Sequence, residues 1–545
     1  MATEEFDVWE HLWRIQESQK TPGVQVTPGE FDVELAWINY GKENHEYPIA
    51  SEILRFSITE DMEAFGLTGW LEMKDPKNLV QNGPIVGQEL LYISFHTRGT
   101  KELSNSKRFA MDFTKQPLWI YKVEDMIQDK TIAGGRAPQS LSYRLHFCSP
   151  EILRNERVRI SQSLDGSYSE IVQNILKNHL KTTKPITLEK TTDLKHVVVP
   201  NMHPLQVIDW MTSSSETNLS TTRPPRRGNP HRDQPPPNPF KGRSADYYFY
   251  ETPTGYKFRP ALREPGTTIT LALGNAPMTA QYVNQMTTAS EWEIIQNADT
   301  RHSAKRGMWG SKRIVHDHYN KSVKTYQSNY HRSIKKDQYA YVSQTPVFNP
   351  TGFAEKNKDD KDKTLSDFPD SLLMVSSVSG KTNSSVNKQT NKINYPWSIT
   401  PPDLAMRRQM QINHGCNYNV LRAKFPGISS LHAGMIVQLT MAQIGFGSGQ
   451  IDDSVPIFPN KLENRWIIKQ ITHVVNRLPS EAYYHCDVLL TNTLLDSPSK
   501  STLPAYEGMG SEQKRFKTPT SSKVGSVNPH TGESEVEGEQ DANET

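Results

Sequence analysis

The sequence predicts a mainly β (α+β) protein: two tube-like antiparallel β-barrel domains from an internal duplication, with smaller peripheral α+β domains. Three observations lead there. Apolar and polar residues alternate at period two over 31–150 and again over 407–492, as in half-buried antiparallel strands. A stretch with helical period lies between them. One order of landmarks also occurs twice: a glycine entering a strand (Gly87, Gly434), a Trp-Ile-x-Lys strand (Trp119, Trp466), a turn-rich loop, and a strand opening with tyrosine (Tyr143, Tyr484). In both copies the tryptophan stands 32 residues after the glycine.

Residues 1–30 form an N-terminal extension. Phe6, Trp9, Leu12 and Trp13 follow helical spacing until Pro22, Gly23, Pro28 and Gly29 break it. Residues 31–150 are barrel domain I. Its stripes are Phe31, Val33, Leu35 and Trp37; Leu54, Phe56 and Ile58; Leu91, Ile93 and Phe95; and Tyr143, Leu145 and Phe147. Residues 151–280 are a peripheral α+β unit. A helix capped by Asp165 or Ser167 carries Ile171, Val172, Ile175, Leu176 and Leu180. A second helix starts at Pro204, after the strand-like Val197-Val198-Val199. A hairpin runs through Tyr247–Tyr250 and Tyr256–Arg259. The Pro/Arg-rich insert 223–243 cannot build a core and reads as an exposed basic loop.

Residues 281–349 are a polar segment leading to the second barrel, and 350–400 a long low-complexity loop. Residues 401–496 are barrel domain II, with Met435, Val437, Leu439 and Met441 as one stripe and Tyr484, Cys486, Val488 and Leu490 as the last. Residues 497–545 are a polar, flexible C-terminal tail.

Composition narrows the function. The 545 residues are 35% hydrophobic and 22% charged, with a mean hydropathy of −0.66. No apolar run is long enough for a membrane-spanning helix, and the first ten residues lack a secretory pattern. Sixty-two Lys and Arg against 60 Asp and Glu argue against a dedicated nucleic-acid coat. Three scattered cysteines without a CxxC argue against a disulfide framework or cysteine zinc site.

These residues resemble the central baseplate hub proteins of contractile-tailed phages, a fold shared with the front part of VgrG proteins and with late-control tail proteins. The resemblance is carried by Tyr143-Arg-Leu-His-Phe-Cys-Ser-Pro-Glu151, by Arg159 to Val172, by Val198 to Trp210, and by Gly427-Ile-Ser-Ser-Leu-His-Ala-Gly-Met-Ile-Val437. It covers roughly 30–495 and implies a homotrimer whose six barrels mimic a sixfold tail tube. The partners it implies are the tail tube protein, the central spike protein, and wedge or accessory baseplate proteins. The resemblance also implies that DNA passes through the lumen without specific binding. The implied place is the virion tail, after synthesis in the host cytoplasm. The polar residues after Asp496 are too few for a fused spike, so the spike is expected to be another chain. Three chains with two copies each can match a hexagonal ring. Ser94, Gln438 and Thr440 are expected to face that lumen.

No enzyme, cofactor or metal is expected. The competing reading is a tail-associated metal-dependent cell-wall hydrolase. Its candidate ligands are His302, His316, His318 and His331 beside Asp317, since a His-x-His pair on a strand can present both rings to zinc. No HExxH, GxSxG or P-loop occurs.

Overall fold

The computed structural model describes residues 28–39, 46–83, 85–97, 111–128, 140–191, 195–218, 243–261, 269–274, 286–297, 299–317, 321–329, 368–378, 404–416, 419–441, 465–478 and 481–492. The chain divides into two compact units, Met1–Ser497 and Pro498–Thr545, and every described residue lies in the first. The predicted N-terminal helix, nearly all of the 223–243 insert and the C-terminal tail lie outside the described residues.

Period-two alternation gives most of the strands. The principal ones are β1 (Phe31–Asn39), β2 (Ile53–Asp61), β3 (Thr68–Asp75), β4 (Leu90–Thr97), β5 (Leu118–Gln128), β6 (Leu141–Cys148), β7 (Tyr247–Thr252), β8 (Gly255–Pro260) and β9 (Ile269–Leu273). They continue with β10 (Glu291–Asn297), β11 (Gly310–Asp317), β12 (Ser322–Asn329), β13 (Leu373–Val378), β14 (Asn419–Pro426), β15 (Ile436–Met441), β16 (Arg465–Asn476) and β17 (Tyr483–Asn492). The helices of six or more residues are α1 (Pro150–Arg157), α2 (Tyr168–Asn174), α3 (Pro204–Ser213), α4 (Thr300–Lys305) and α5 (Leu404–Cys416).

Two modules repeat one topology. In the first, neighbouring strands run β4-β5-β6-β3-β2, every pair antiparallel. In the second they run β15-β16-β17-β14-β10, again all antiparallel. The modules join edge to edge, with β2 paired to β16 from Arg55↔Asn476 to Asp61↔Gln470. Beyond this shared order they differ: β1 extends the first antiparallel to β4, whereas β9 extends the second parallel to β15.

The pairing path keeps open ends among the described residues. Both modules contribute to one continuous core rather than each enclosing its own. Phe95 of β4 stands edge-on to Phe56 of β2 and to Tyr484 of β17, at 5.0 and 5.7 Å between ring centroids. The second module also begins earlier than composition suggested. β9 comes from the stretch read as peripheral, and β10 from the stretch read as a polar lead-in.

Facing follows prediction where strands are regular and slips where they bulge. Tyr143, Leu145 and Phe147 are buried, as are Leu91, Ile93 and Phe95. In β1 the register shifts between Val33 and Leu35. Ala36 and Ile38 therefore turn inward and Leu35 is 50% exposed, because a one-residue slip exchanges the two faces.

The peripheral unit has a separate core of Ile160–Phe258 residues, among them Ile171, Val172, Ile175, Leu176 and Leu180. Ser167 caps α2 through a reciprocal box with Glu170, and α3 begins at Pro204 as expected. β7 and β8 form the hairpin. Buried Lys184 reaches Glu151 at 2.7 Å and Glu251 at 2.6 Å. Glu251 also accepts from the Leu67 amide of the first module at 3.2 Å. On the second module, Arg259 donates to the Gly434 carbonyl at 3.1 Å. The peripheral unit thus holds both modules. β12-β11-β13 form a small separate sheet.

Candidate functional site

The joint between the modules is the most elaborate polar arrangement in the interior. Alternation along β2 turns Phe56, Ile58 and then Glu60 toward the core, so a carboxylate occupies an apolar position. Along β16 the same alternation buries Ile471, His473 and Val475. Residues 427–433 lie between the modules, with Ile428, Ser429, Ser430, Leu431, His432 and Ala433 all buried.

This segment is fastened on both sides. Thr97 Oγ1 of β4 donates to the Gly427 carbonyl at 3.2 Å, and the Ser429 amide donates to Thr97 Oγ1 at 3.2 Å. The Ala433 amide donates to Glu60 Oε2 at 3.0 Å. Glu60 Oε1 lies 3.0 Å from His432 Nδ1 and 3.5 Å from His473 Nε2. His473 Nδ1 in turn meets Tyr484 Oη at 2.7 Å and Cys486 Sγ at 3.4 Å.

Burial alone would raise the Glu60 carboxyl, but the two imidazoles outweigh it and hold it at about 2. Burial alone would lower His473, yet Cys486 and Glu60 on its two ring nitrogens push it up to about 10. The joint is therefore a buried ion cluster. One donor atom from each of Glu60, His432 and His473 lies within 4.8 Å of the others, a set that could also hold a divalent ion. Glu60 and His473 are fully enclosed and His432 is 9% exposed, so an ion there would brace the fold.

The structure separates the predicted landmarks. Gly87 and Gly434 both take positive φ, +87° and +79°, at the turn before a strand, a conformation that suits glycine. Each tryptophan pairs with the residue three past its glycine: Leu90↔Trp119 and Val437↔Trp466. The tryptophans nevertheless face opposite ways. The Ile120 amide donates to the Glu89 carbonyl, whereas the Ile468 amide donates to Met435, so the hydrogen-bond phase differs by one residue. Trp466 is buried, while half-buried Trp119 lies under Arg157, 5.6 Å from ring to guanidinium.

Tyr143 and Tyr484 each open the buried stripe of the last landmark strand. Tyr143 donates to Asp75 at 3.1 Å; Tyr484 joins the ion cluster. Ser94, expected on a lumen, is buried between Leu35 and Asp112. Gln438 is half-buried and Thr440 exposed, on the face opposite Val437 and Leu439. His302 on α4 and His316 on β11 are exposed and join no ligand cluster among the described residues. His318 and His331 lie outside the described residues. The sequence assigned no site role to Glu60, His432 or His473. The one signal was a glutamate at an inward position of an alternating strand.

The other face of the sheet is polar and continuous across both modules. Glu291, Lys424, Asp487, Thr472 and Thr59 stand side by side on five strands. A second row runs Asn476, Arg55, Glu72, Arg144, Glu124. Arg55 pairs with Glu72 at 2.8 Å, Arg144 with Asp125 at 3.0 Å, and Thr59 and Thr472 share a hydrogen bond at 3.0 Å across the joint. On the second module this face holds a hollow of about 600 Å³ lined by Glu291, Arg422, Lys424, Gln470 and Asp487.

No protein-family model matches the chain, and no curated protein matches it. Solved structures similar to it include the 43 kDa tail protein of prophage MuSo2 from Shewanella oneidensis, at 8% identity, covering 85% of this chain and 100% of that one with a TM-score of 0.41. A tail protein from Neisseria meningitidis MC58 has 8% identity, 85% and 98% coverage and a TM-score of 0.40. Prophage tail protein gp18 from Listeria monocytogenes EGD-e has 10% identity, 86% and 96% coverage and a TM-score of 0.38.

Proposed function

We propose that the chain is a structural hub of a phage contractile-tail baseplate. In this reading three copies form a ring of six β modules, the upper side meets a hexameric tail tube, the lower side a trimeric central spike, and DNA passes through the lumen. Wedge or accessory tail proteins bind outside. The reading is non-enzymatic.

One observation carries it: the same five-strand order occurs twice in one chain, and the copies are joined edge to edge. Duplicated modules in three chains give the near-sixfold repeat that a hexagonal tube requires. The polar face supports the lumen. Its charges alternate in sign, and Arg55 and Arg144 of the first module are paired with carboxylates, so a polyanion finds no net basic track to bind. The hydrolase alternative requires an ion open to substrate, and the enclosure of Glu60 and His473 speaks against that.

Light scattering on the purified full-length chain tests the reading. A molar mass of three chains is expected. A strict monomer at every concentration, together with zinc-dependent digestion of cell walls, would favour the hydrolase.

A further inference from the structure

We infer that the joint between the modules is a structural zinc site, with Glu60, His432 and His473 as its protein ligands. The site is closed and braces the fold. It does not depend on how many copies assemble, so it stands or falls apart from the ring reading.

Three separate pieces of chain supply the ligands. Glu60 comes from β2 of the first module, His473 from β16 of the second, and His432 from the segment between them. One ligand atom of each lies within 4.8 Å of the others, and all three residues are buried. Glu60 Oε1 is 3.0 Å from His432 Nδ1 and 3.5 Å from His473 Nε2. Bonds of about 2.0–2.1 Å to a tetrahedral ion set neighbouring ligand atoms about 3.3–3.4 Å apart. The two observed separations bracket that edge.

A second observation points to an ion. His473 is fully enclosed, yet its Nε2 finds no hydrogen-bond partner among the described residues. At 3.5 Å, Glu60 Oε1 is too far for a good hydrogen bond but at the distance at which two ligands share an ion. A buried polar atom left without a partner is costly, and a bound ion removes that cost.

The surroundings orient the ligands. His473 Nδ1, on the other side of the ring, meets Tyr484 Oη at 2.7 Å, which leaves the Nε2 lone pair for the ion. Glu60 Oε2 accepts from the Ala433 amide at 3.0 Å, which leaves Oε1 for the ion. Ligating imidazoles and carboxylates are held by hydrogen bonds of this kind. Cys486 Sγ lies on the Nδ1 side, 3.4 Å away, and is no ligand here. Two imidazole nitrogens and one carboxylate oxygen suit zinc better than calcium or magnesium. Three protein ligands leave the fourth position to an enclosed water. Because folding alone brings the ligands together, the ion enters as the joint forms.

The test uses the full-length chain produced with zinc in the medium, desalted, and measured by metal mass spectrometry. One zinc per chain is expected. Tyr484→Phe, which loses only the orienting hydroxyl, should weaken zinc about 10–100-fold against a competing chelator. His432→Gln, which loses a ligand, should weaken it by more. His316→Ala, at an exposed histidine of β11, should leave it unchanged. The unaltered chain produced with cobalt instead of zinc gives a readout that needs no variant to fold: the absorption bands of a tetrahedral cobalt centre are expected. A chain without zinc, a cobalt chain without those bands, or zinc held equally well by His432→Gln overturns the site. Any of these leaves a metal-free ion cluster at the joint and the ring reading untouched.

Discussion

The two modules share a topology and differ in what they do with it. Both run five antiparallel strands in one order, both enter the strand before the tryptophan strand from a left-handed glycine, and both start a buried stripe with tyrosine. Side-chain identity is not kept: the paired tryptophans point to opposite faces. The second module's β16 receives a strand of its neighbour along its distal edge, while the first module's β5 pairs only with strands of its own module among the described residues. Duplication here has preserved pairing order and turn geometry, the features that let one module accept the next. Packing details were free to diverge.

Four measurements probe the difference between the modules, in descending size of effect. Trp466→Ala removes a fully buried indole and is expected to cost about 3–5 kcal/mol. Trp119→Ala loses mainly a half-exposed contact and should cost about 1 kcal/mol. Equal losses in denaturant unfolding would contradict the assigned difference in facing.

Glu60→Gln leaves His473 charged without its carboxylate. Breaking one side of a buried pair costs about 3–5 kcal/mol. The same change at Glu72, on the polar face, should cost under about 1 kcal/mol.

The glycines separate next. At Gly434 a Cβ would stand 1.9 Å from Tyr250 Oη, against 3.7 Å from the nearest atom at Gly87. Both alanine variants carry the φ penalty of about 1 kcal/mol. Gly434→Ala adds a collision with the docked peripheral unit and should roughly double or triple that loss. A thermal shift of equal size in both variants would show that this docking is loose.

Smallest is a pH effect at the clamp. Burial opposes charge on Glu151, but nearby Lys184 outweighs it and lowers that carboxyl below its ordinary 4.5. Its contribution is thus present above pH 4.5 and is lost as pH falls through the lowered value. Lys184, raised above 10.5 because the two carboxylates outweigh its burial, contributes below pH 10.5 and loses that contribution as pH rises through its folded value. Glu251 shifts upward through burial and opposes Glu151 in part. Lys184→Met should therefore flatten the loss of stability below pH 4.5; an unchanged acid profile would remove the clamp from the account.

Much of this was legible in the sequence because period-two alternation, proline at a helix start and serine before an acidic turn are local signals. They located the stripes of β4 and β6, α3 at Pro204 and the cap at Ser167. The repeated glycine, tryptophan and tyrosine gave the duplication. Bulges hid the facing of Leu35 and Trp119, since one extra residue exchanges faces without disturbing composition. β9 and β10 were missed because they are short strands flanked by polar residues, and only tertiary pairing assigns them to the second module. The ion cluster was invisible for a different reason. Glu60 stands 372 residues from His432, and only the edge-to-edge joint brings them together.

The proposed hub depends on one chain carrying the same module twice, so that three chains stand in for six. Image reconstruction of the assembled tail with this chain located in it tests that most directly. Three copies around the axis, with six modules at one radius, are expected. Modules at two different radii, or a copy number other than three, would contradict it.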